Sequence, residues 1–179
     1  MRKKLYADLL GEKNTTEVFK YMKETCNLKG NIEDLSYLTY INNNINIDEY
    51  YNIRNIRSRI YNFTEEYIFL RNKLKENVGM LSISANYDNP VLSLNVIHIN
   101  KEYLGSLEEE FMDILGFVKD NILSKPSKIR ATLNTDNYRV WKDTFIKIGF
   151  KKEASRLQGD YLENSVDDYV IFYEGVGHE

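Results

Sequence analysis

Apolar and polar residues follow two different periods along this chain. In the first third the apolar positions recur every three or four residues, which predicts helices. The predicted helices cover residues 15–28, 32–41 and 48–62. Thr15 or Thr16 is a suitable cap for the first of them. We therefore expect residues 1–64 to form a helical N-terminal segment.

Beyond residue 64 the period shortens to two, which is typical of β-strands with one buried face. Three successive strands are predicted, at residues 66–72, 78–87 and 91–100. A helix, a strand, a helix and two more strands follow, at residues 106–122, 128–135, 136–148, 151–161 and 169–173. This order predicts a layered α/β (α+β) fold with helices on both faces of one sheet. A chain of 179 residues suits a single domain, with residues 65–174 as its core.

The last predicted helix has a well-defined end. Trp141, Phe145 and Ile148 lie on one face, at positions i, i+4 and i+7. Gly149 follows where a left-handed residue is favoured, and Phe150 is placed to fold back onto the last turn. The helix is therefore expected to pack its apolar face on the sheet and to end at Gly149.

This arrangement resembles the GNAT superfamily of N-acetyltransferases over residues 65–173. The resemblance rests on the spacing of Asp136-Asn137, Phe145, Lys147, Gly149-Phe150 and Lys152-Glu153. Gly79 matches a glycine that the family often has on its third strand. The resemblance implies a GNAT-like acyl-CoA N-acyltransferase fold, with a mixed, twisted sheet flanked by helices. It also implies acyl transfer from acetyl-CoA to a primary amine of a small molecule or a peptide.

The same resemblance implies where acetyl-CoA would bind. The pantetheine arm would bond to the backbone of the third core strand, and the diphosphate would face the amides at the start of the next helix. Further contacts would come from the last helix. The implied cofactor-binding positions are Ile97, His98, Ile99, Gly105, Ser106, Leu107, Asn137, Arg139, Lys142 and Phe145.

Two features depart from the family pattern. The loop NKEYLGSLEEE lacks the glycine pair of the family's diphosphate loop, and Glu108, Glu109 and Glu110 would repel an anion there. Ser106 with Glu109 predicts a capping box, in which the glutamates only complement the helix dipole. Phe145 stands where many family members have the tyrosine that protonates the departing thiolate. A catalytically silent GNAT-like domain that binds a ligand or a protein therefore stays open, as does an enzyme with a ligand other than coenzyme A.

His98 and Cys26 are the remaining candidates for catalytic or metal-binding side chains. His98 is a candidate catalytic base for the amine, because imidazole titrates in the required range, and a packed histidine is the alternative interpretation. Cys26, the only cysteine, lies on a predicted apolar stripe and is interpreted as a packing residue. The sequence contains no zinc-binding spacing, P-loop or dinucleotide fingerprint, so we expect no metal.

Charge is distributed unevenly along the chain. The formal net charge is -3, yet residues 119–156 contain ten Lys or Arg against four Asp or Glu. This basic half suits a phosphate-bearing ligand or is simply a solvated surface, and the overall charge gives no reason to expect nucleic acid or a membrane as partner. With one cysteine and no signal-peptide pattern, a cytoplasmic location is expected. A monomer or a homodimer is expected, the latter if residues 167–173 form an edge strand.

Overall fold

Strands and helices alternate in a computed structural model that describes residues 3–24, 35–38, 47–86, 89–121, 128–133, 135–157 and 165–172. The strands are β1 (Tyr6–Leu10), β2 (Leu35–Leu38), β3 (Glu65–Arg71), β4 (Asn77–Asn86), β5 (Asn89–Ile99), β6 (Lys128–Leu133), β7 (Lys151–Leu157) and β8 (Ser165–Phe172). The helices are α1 (Thr15–Glu24), α2 (Ile47–Tyr50), α3 (Ile53–Tyr61), α4 (Leu104–Asn121) and α5 (Thr135–Ile148). Short 3-10 turns at Glu12–Asn14 and Lys101–Tyr103 precede α1 and α4.

The described strands form one mixed sheet. Its order is β1-β3-β4-β5-β6-β8-β7, and β2 pairs with β5 beside this path. β5 and β6 are parallel, whereas the other pairs are antiparallel. Because two parallel neighbours need a crossover, α4 carries the chain from one end of the sheet to the other between them.

Each face of the sheet carries its own apolar core. Side chains alternate between the faces along β3, so that Ile68 lies in one core and Tyr67 in the other. The larger core also takes in residues from α4 and α5, among them Phe111, Leu115, Trp141 and Phe145. The smaller core takes in residues from α1 and α3, among them Val18, Met22, Ile56 and Ile60. The predicted layered α/β fold, with helices on both faces of a mixed sheet, is confirmed.

The end of α5 is the one that the sequence predicts. Gly149 has a φ of +111°, and its amide donates to the carbonyl oxygens of Phe145 and Ile146. The Phe150 amide donates to the Phe145 carbonyl at 2.9 Å, which completes a Schellman motif. The Phe150 ring folds back to within 4.9 Å of the Phe145 ring, measured between centroids. This closure fixes the direction in which β7 leaves the helix.

The helical interpretation of the N-terminal segment is wrong at several places. Residues 35–38 form β2 instead of a helix, because pairing with β5 overrides a weak helical pattern. Residues 48–62 form α2 and α3 instead of one helix, because the Asn52 side chain accepts the Asn55 amide at 2.9 Å and starts a new helix. β1 pairs with β3, so the sheet extends into this segment.

Two other expectations concern the end of the first predicted helix and the strand predicted near the C-terminus. The part of the first predicted helix beyond Glu24, including Cys26, lies outside the described residues. The expectation of an edge strand at residues 167–173 is wrong, because β8 lies between β6 and β7. The end strands of the main path of the described sheet are β1 and β7.

Candidate active site at a fork in the sheet

One edge of β5 is divided between two partners. The opposite edge pairs with β4. On the divided edge, residues 91–93 pair with β6 and residues 96–99 pair with β2. No described strand pairs with Leu94 or Asn95 on this edge, and we refer to this gap as the fork. The fork lies inside the sheet and close to the parallel pair, which is where α/β proteins commonly place ligands.

A β-bulge at the fork changes which side chains face which layer. The pairing of β4 with β5 skips Asn95, which is therefore the extra residue on β5. Leu94 lies in the larger core and Val96 in the smaller one. An unbroken alternation along β5 would place His98 on the same face as Leu94, but the bulge shifts the alternation by one residue. His98 faces α1.

A buried carboxylate lies beside the fork. Glu65, at the start of β3, is fully buried. Its Oε1 accepts hydrogen bonds from the Ser82 hydroxyl and from the Asn95 side-chain amide, the latter at 3.2 Å. Its Oε2 accepts from Arg59 Nε at 2.5 Å and from the Tyr67 hydroxyl at 2.7 Å. These five residues are called the Glu65 cluster below. Charge-assisted bonds of this kind hold a buried carboxylate firmly only while every donor is present.

Aromatic rings surround the guanidinium of this cluster. Arg59 lies 3.8 Å from the centroid of the Tyr50 ring and 5.5 Å from that of the Tyr51 ring, which is cation–π geometry. Burial has the largest single effect on the pKa of Arg59 and lowers it, but Glu65, Tyr67 and Tyr50 together raise the pKa by more, so the guanidinium stays charged. Burial, followed by the charge of Glu65, raises the pKa of Tyr51 and of Tyr67 well above 10.0. The site thus combines one cation, one anion and neutral phenols.

Tyr51 and Tyr67 should respond oppositely to loss of their hydroxyl groups. The Tyr51 hydroxyl is buried with no hydrogen-bond partner among the described residues, so Tyr51→Phe should raise the free energy of unfolding by about 1 kcal/mol. The Tyr67 hydroxyl bonds to Glu65 and Arg59, so Tyr67→Phe should lower it by about 1–2 kcal/mol. Urea unfolding at neutral pH measures both changes.

The alkaline pH dependence provides the control for this pair. Above pH 10.0 the unfolded phenols lose protons that the folded Tyr51 and Tyr67 retain. Stability is therefore fully present below that pH and falls as the pH rises beyond it. Each Phe variant should make this fall shallower. Equal effects of both variants at neutral pH would contradict the assigned hydroxyl contacts.

A second polar pair lies on the same face of the sheet. The Tyr21 hydroxyl, on α1, is 2.9 Å from His98 Nδ1. The two rings meet edge to face, with centroids 5.5 Å apart. The His98 side chain is fully buried, whereas Tyr21 retains 9% of its exposure. Any exchange of protons between His98 and a ligand therefore has to pass through neighbouring groups, of which Tyr21 is one.

The start of α4 differs from the predicted capping box. The helix begins at Leu104, so Ser106 lies inside its first turn instead of capping it. The preceding 3-10 turn replaces the cap, and the Leu104 amide bonds to the Lys101 carbonyl. Gly105, Ser106 and Leu107 all belong to the first turn of α4, at the positive end of the helix dipole. Leu107 itself is fully buried.

The glutamates of α4 are engaged by the rest of the protein. Glu110 is buried, and its Oε2 accepts the Leu5 amide at 2.8 Å. Glu108 accepts the Thr144 hydroxyl at 3.2 Å and lies 3.4 Å from Lys147 Nζ on α5. Because these carboxylates are bonded elsewhere or paired with a cation, their repulsion of an anion at the helix start is smaller than the sequence suggests.

The implied residues of α5 are only partly described. Asn137 and Arg139 lie in the N-terminal half of the helix, and their side chains are outside the described part. Lys142 is half-buried. Phe145 is fully buried between Trp141 and Phe150, with ring centroids 5.9 and 4.9 Å away. It lines the larger core in this structure.

Sequence reasoning missed most of the polar groups near the fork. It did not single out Glu65, Arg59, Asn95 or Tyr21. One signal was present in the sequence: Ser82 and Asn95 are polar residues inside otherwise apolar strand patterns. A buried polar residue requires a partner, so polar residues at such positions indicate a polar network in the core.

Two findings concern other kinds of site. In the described ranges, no group of three or more His, Cys, Asp or Glu is arranged to hold a metal ion. None of the described helices is both long enough and apolar enough to cross a membrane.

The fold is that of the GNAT acetyltransferases. A mutant of the spermidine N-acetyltransferase SpeG from Vibrio cholerae is similar in structure, with a TM-score of 0.60 and 16% identity over 94% of each chain. Mutant forms of the spermidine/spermine N-acetyltransferase SpeG from Vibrio cholerae match with a TM-score of 0.61 and 14% identity, again over 94% of each chain. A dodecameric structure of the enzyme in an intermediate state matches with a TM-score of 0.57 and 15% identity over 94% of each chain. No family model and no curated protein sequence matches this chain.

Proposed function

We propose that this protein is an N-acetyltransferase that transfers the acyl group of acetyl-CoA to a primary amine at the fork. The observation that carries the proposal is the divided edge of β5. It leaves residues 94–95 without a partner among the described strands on that edge, beside a buried polar cluster. α4 then starts close to the carboxyl end of the same strand. A long ligand can thus meet backbone, polar side chains and a helix start in sequence.

The residues at the start of α4 suit acetyl-CoA, but the edge of β5 that leads to them does not. The diphosphate is assigned to the amides of Gly105 and Ser106 at the start of α4, where Glu108 and Glu110 are bonded to other groups and the neighbouring helix carries Arg139 and Lys142. Along residues 97–99, however, the backbone edge is paired with β2. A pantetheine arm and β2 cannot share that edge.

Proton transfer is assigned to the chain's own groups. An ammonium ion has to lose a proton before its nitrogen attacks a thioester, and acetyl-CoA supplies only the activated acyl group. We assign the base role to His98, which receives the proton through the Tyr21 hydroxyl because the imidazole is fully buried. The Glu65 cluster holds Asn95, and with it the bulge that shapes the fork. Phe145 has no proton to donate, so its side chain does not protonate the departing thiolate of coenzyme A.

Polyamines are the first acceptors to test. The similar solved structures are named as spermidine N-acetyltransferases. We further propose a cytoplasmic location, where a single cysteine stays reduced and acetyl-CoA is available.

Calorimetric titration with acetyl-CoA at low and moderate salt tests the binding part of the proposal. We expect micromolar affinity that weakens as salt rises, because part of the attraction comes from the basic half of the chain. Lys142→Glu should weaken binding, whereas Lys13→Glu, an equal charge change in the 3-10 turn before α1, should not. Spermidine and simple alkylamines are then offered with acetyl-CoA, and acetylated product is measured by mass spectrometry.

A catalytically silent binding domain is the second candidate. It is favoured by β2 on the divided edge and by Phe145 in place of an acidic hydroxyl. Under this alternative no acceptor is acetylated, whether or not acetyl-CoA binds. Turnover of any amine that the His98→Gln variant reduces would exclude it.

A further inference from the structure

The divided edge of β5 carries one inference beyond the proposed reaction. β2 pairs with residues 96–99 in antiparallel register, from Leu38 opposite Val96 to Leu35 opposite Ile99. On the same edge, β6 occupies only residues 91–93. The stretch that β2 covers therefore begins immediately beyond the fork and ends shortly before α4.

β2 pairs with β5 along its whole length. It is a strand of only 4 residues. Its principal contacts among the described elements are with β5 and, to a smaller extent, with α5. A short strand added to an edge is marginally stable, and its backbone hydrogen bonds are of a kind that another extended amide chain can make equally well.

The covered stretch matches the shape of an extended ligand with amide groups. Residues 96–99 span roughly 10 Å at the rise of a β-strand. One end of this stretch meets the fork at Asn95, and the other leads through the 3-10 turn to the first amides of α4. A ligand lying along it would place one end at the polar cluster and the other at a helix N-terminus, which favours a negative charge.

We propose that β2, which covers residues 96–99 of β5 in this structure, is displaced from that edge when the amide-bearing arm of acyl-CoA binds along it. This inference rests on the proposed use of acetyl-CoA. It makes β2 a competitor built into the chain: the fraction of molecules with β2 detached sets the apparent affinity for acetyl-CoA. It also resolves the mismatch between the paired edge and the proposed ligand.

Two double variants separate the backbone pairing from the side chains of β2. Ser36→Pro with Tyr37→Pro removes two adjacent amide hydrogens, one of which faces β5 in any antiparallel strand. Ser36→Ala with Tyr37→Ala changes the same side chains but keeps both amides. The full-length chain is used throughout, and unfolding curves establish that both variants are folded. Acetyl-CoA affinity is measured by calorimetry.

We expect the proline variant to bind acetyl-CoA about tenfold more tightly than the alanine variant. Binding by the proline variant alone would also support both the inference and the proposed function. Equal affinities, or weaker binding by the proline variant, would overturn the inference and leave the proposed function standing. Absence of binding in the parent and in both variants would overturn the two together.

Hydrogen exchange on the parent protein gives an answer that does not depend on the variants. Addition of saturating acetyl-CoA should increase the exchange of amides at residues 35–38 while those of β4 stay protected. Unchanged or increased protection at residues 35–38 on binding would show that β2 stays in place, and the inference would be wrong.

Discussion

Replacing Glu65 with leucine is expected to lower the free energy of unfolding by about 3–5 kcal/mol, which is the cost of breaking a buried ion pair from one side. The carboxylate is fully buried and accepts four hydrogen bonds. Its removal leaves the Arg59 guanidinium with a largely buried positive charge, since only 16% of that side chain is exposed. Chemical denaturation with urea measures the change.

A second substitution distinguishes loss of the charge pair from loss of packing. Glu65→Leu together with Arg59→Met replaces both charges by apolar groups, and this double variant should regain most of the lost stability. Glu66→Leu is the matched control on the adjacent residue. Burial raises the pKa of Glu66, so its charged form is disfavoured in the fold and its removal should be neutral or slightly stabilising. A loss from Glu65→Leu no larger than that from Glu66→Leu would contradict the cluster.

Local signals in the sequence were sufficient to predict most strands of the sheet and the ends of some helices and strands. β3, β4 and β5 follow the alternation of apolar residues, and α5 ends at Gly149 because only a left-handed residue closes that turn. These features depend on neighbours in the chain. The order of strands in the core then follows from short connections and one crossover.

The predictions that were wrong concern features that depend on contacts between distant segments of the chain. β2 is a strand because the edge of β5 is available to it, which no local pattern records. The bulge at Asn95 moved His98 to the other face, since one extra residue reverses the alternation beyond it. Glu65 at the start of β3 is buried because Arg59 and Asn95 reach it from α3 and β5. Charge patterns alone predict a carboxylate to be exposed.

Replacing either member of the Tyr21–His98 pair is expected to lower kcat/KM for amine acetylation by about 100-fold, the lower range for loss of a positioned acid–base group. The reason is the 2.9 Å contact between the Tyr21 hydroxyl and His98 Nδ1, which gives the buried imidazole a route for proton exchange with a ligand. Tyr21→Phe and His98→Gln are assayed separately and together with saturating acetyl-CoA.

The double variant decides whether the two residues act as one unit. If the proton passes through both, combining the substitutions should lower kcat/KM no further than either single change, because groups that act together are not additive. Tyr103→Phe is the control: it also removes a buried phenol hydrogen bond, to Asn72, but not one of the pair. It should leave kcat/KM unchanged.

The pH dependence of kcat/KM should lose its acidic limb in His98→Gln, because that limb reports protonation of the base. Multiplicative losses in the double variant, or an acidic limb that survives in His98→Gln, would assign the base to another group.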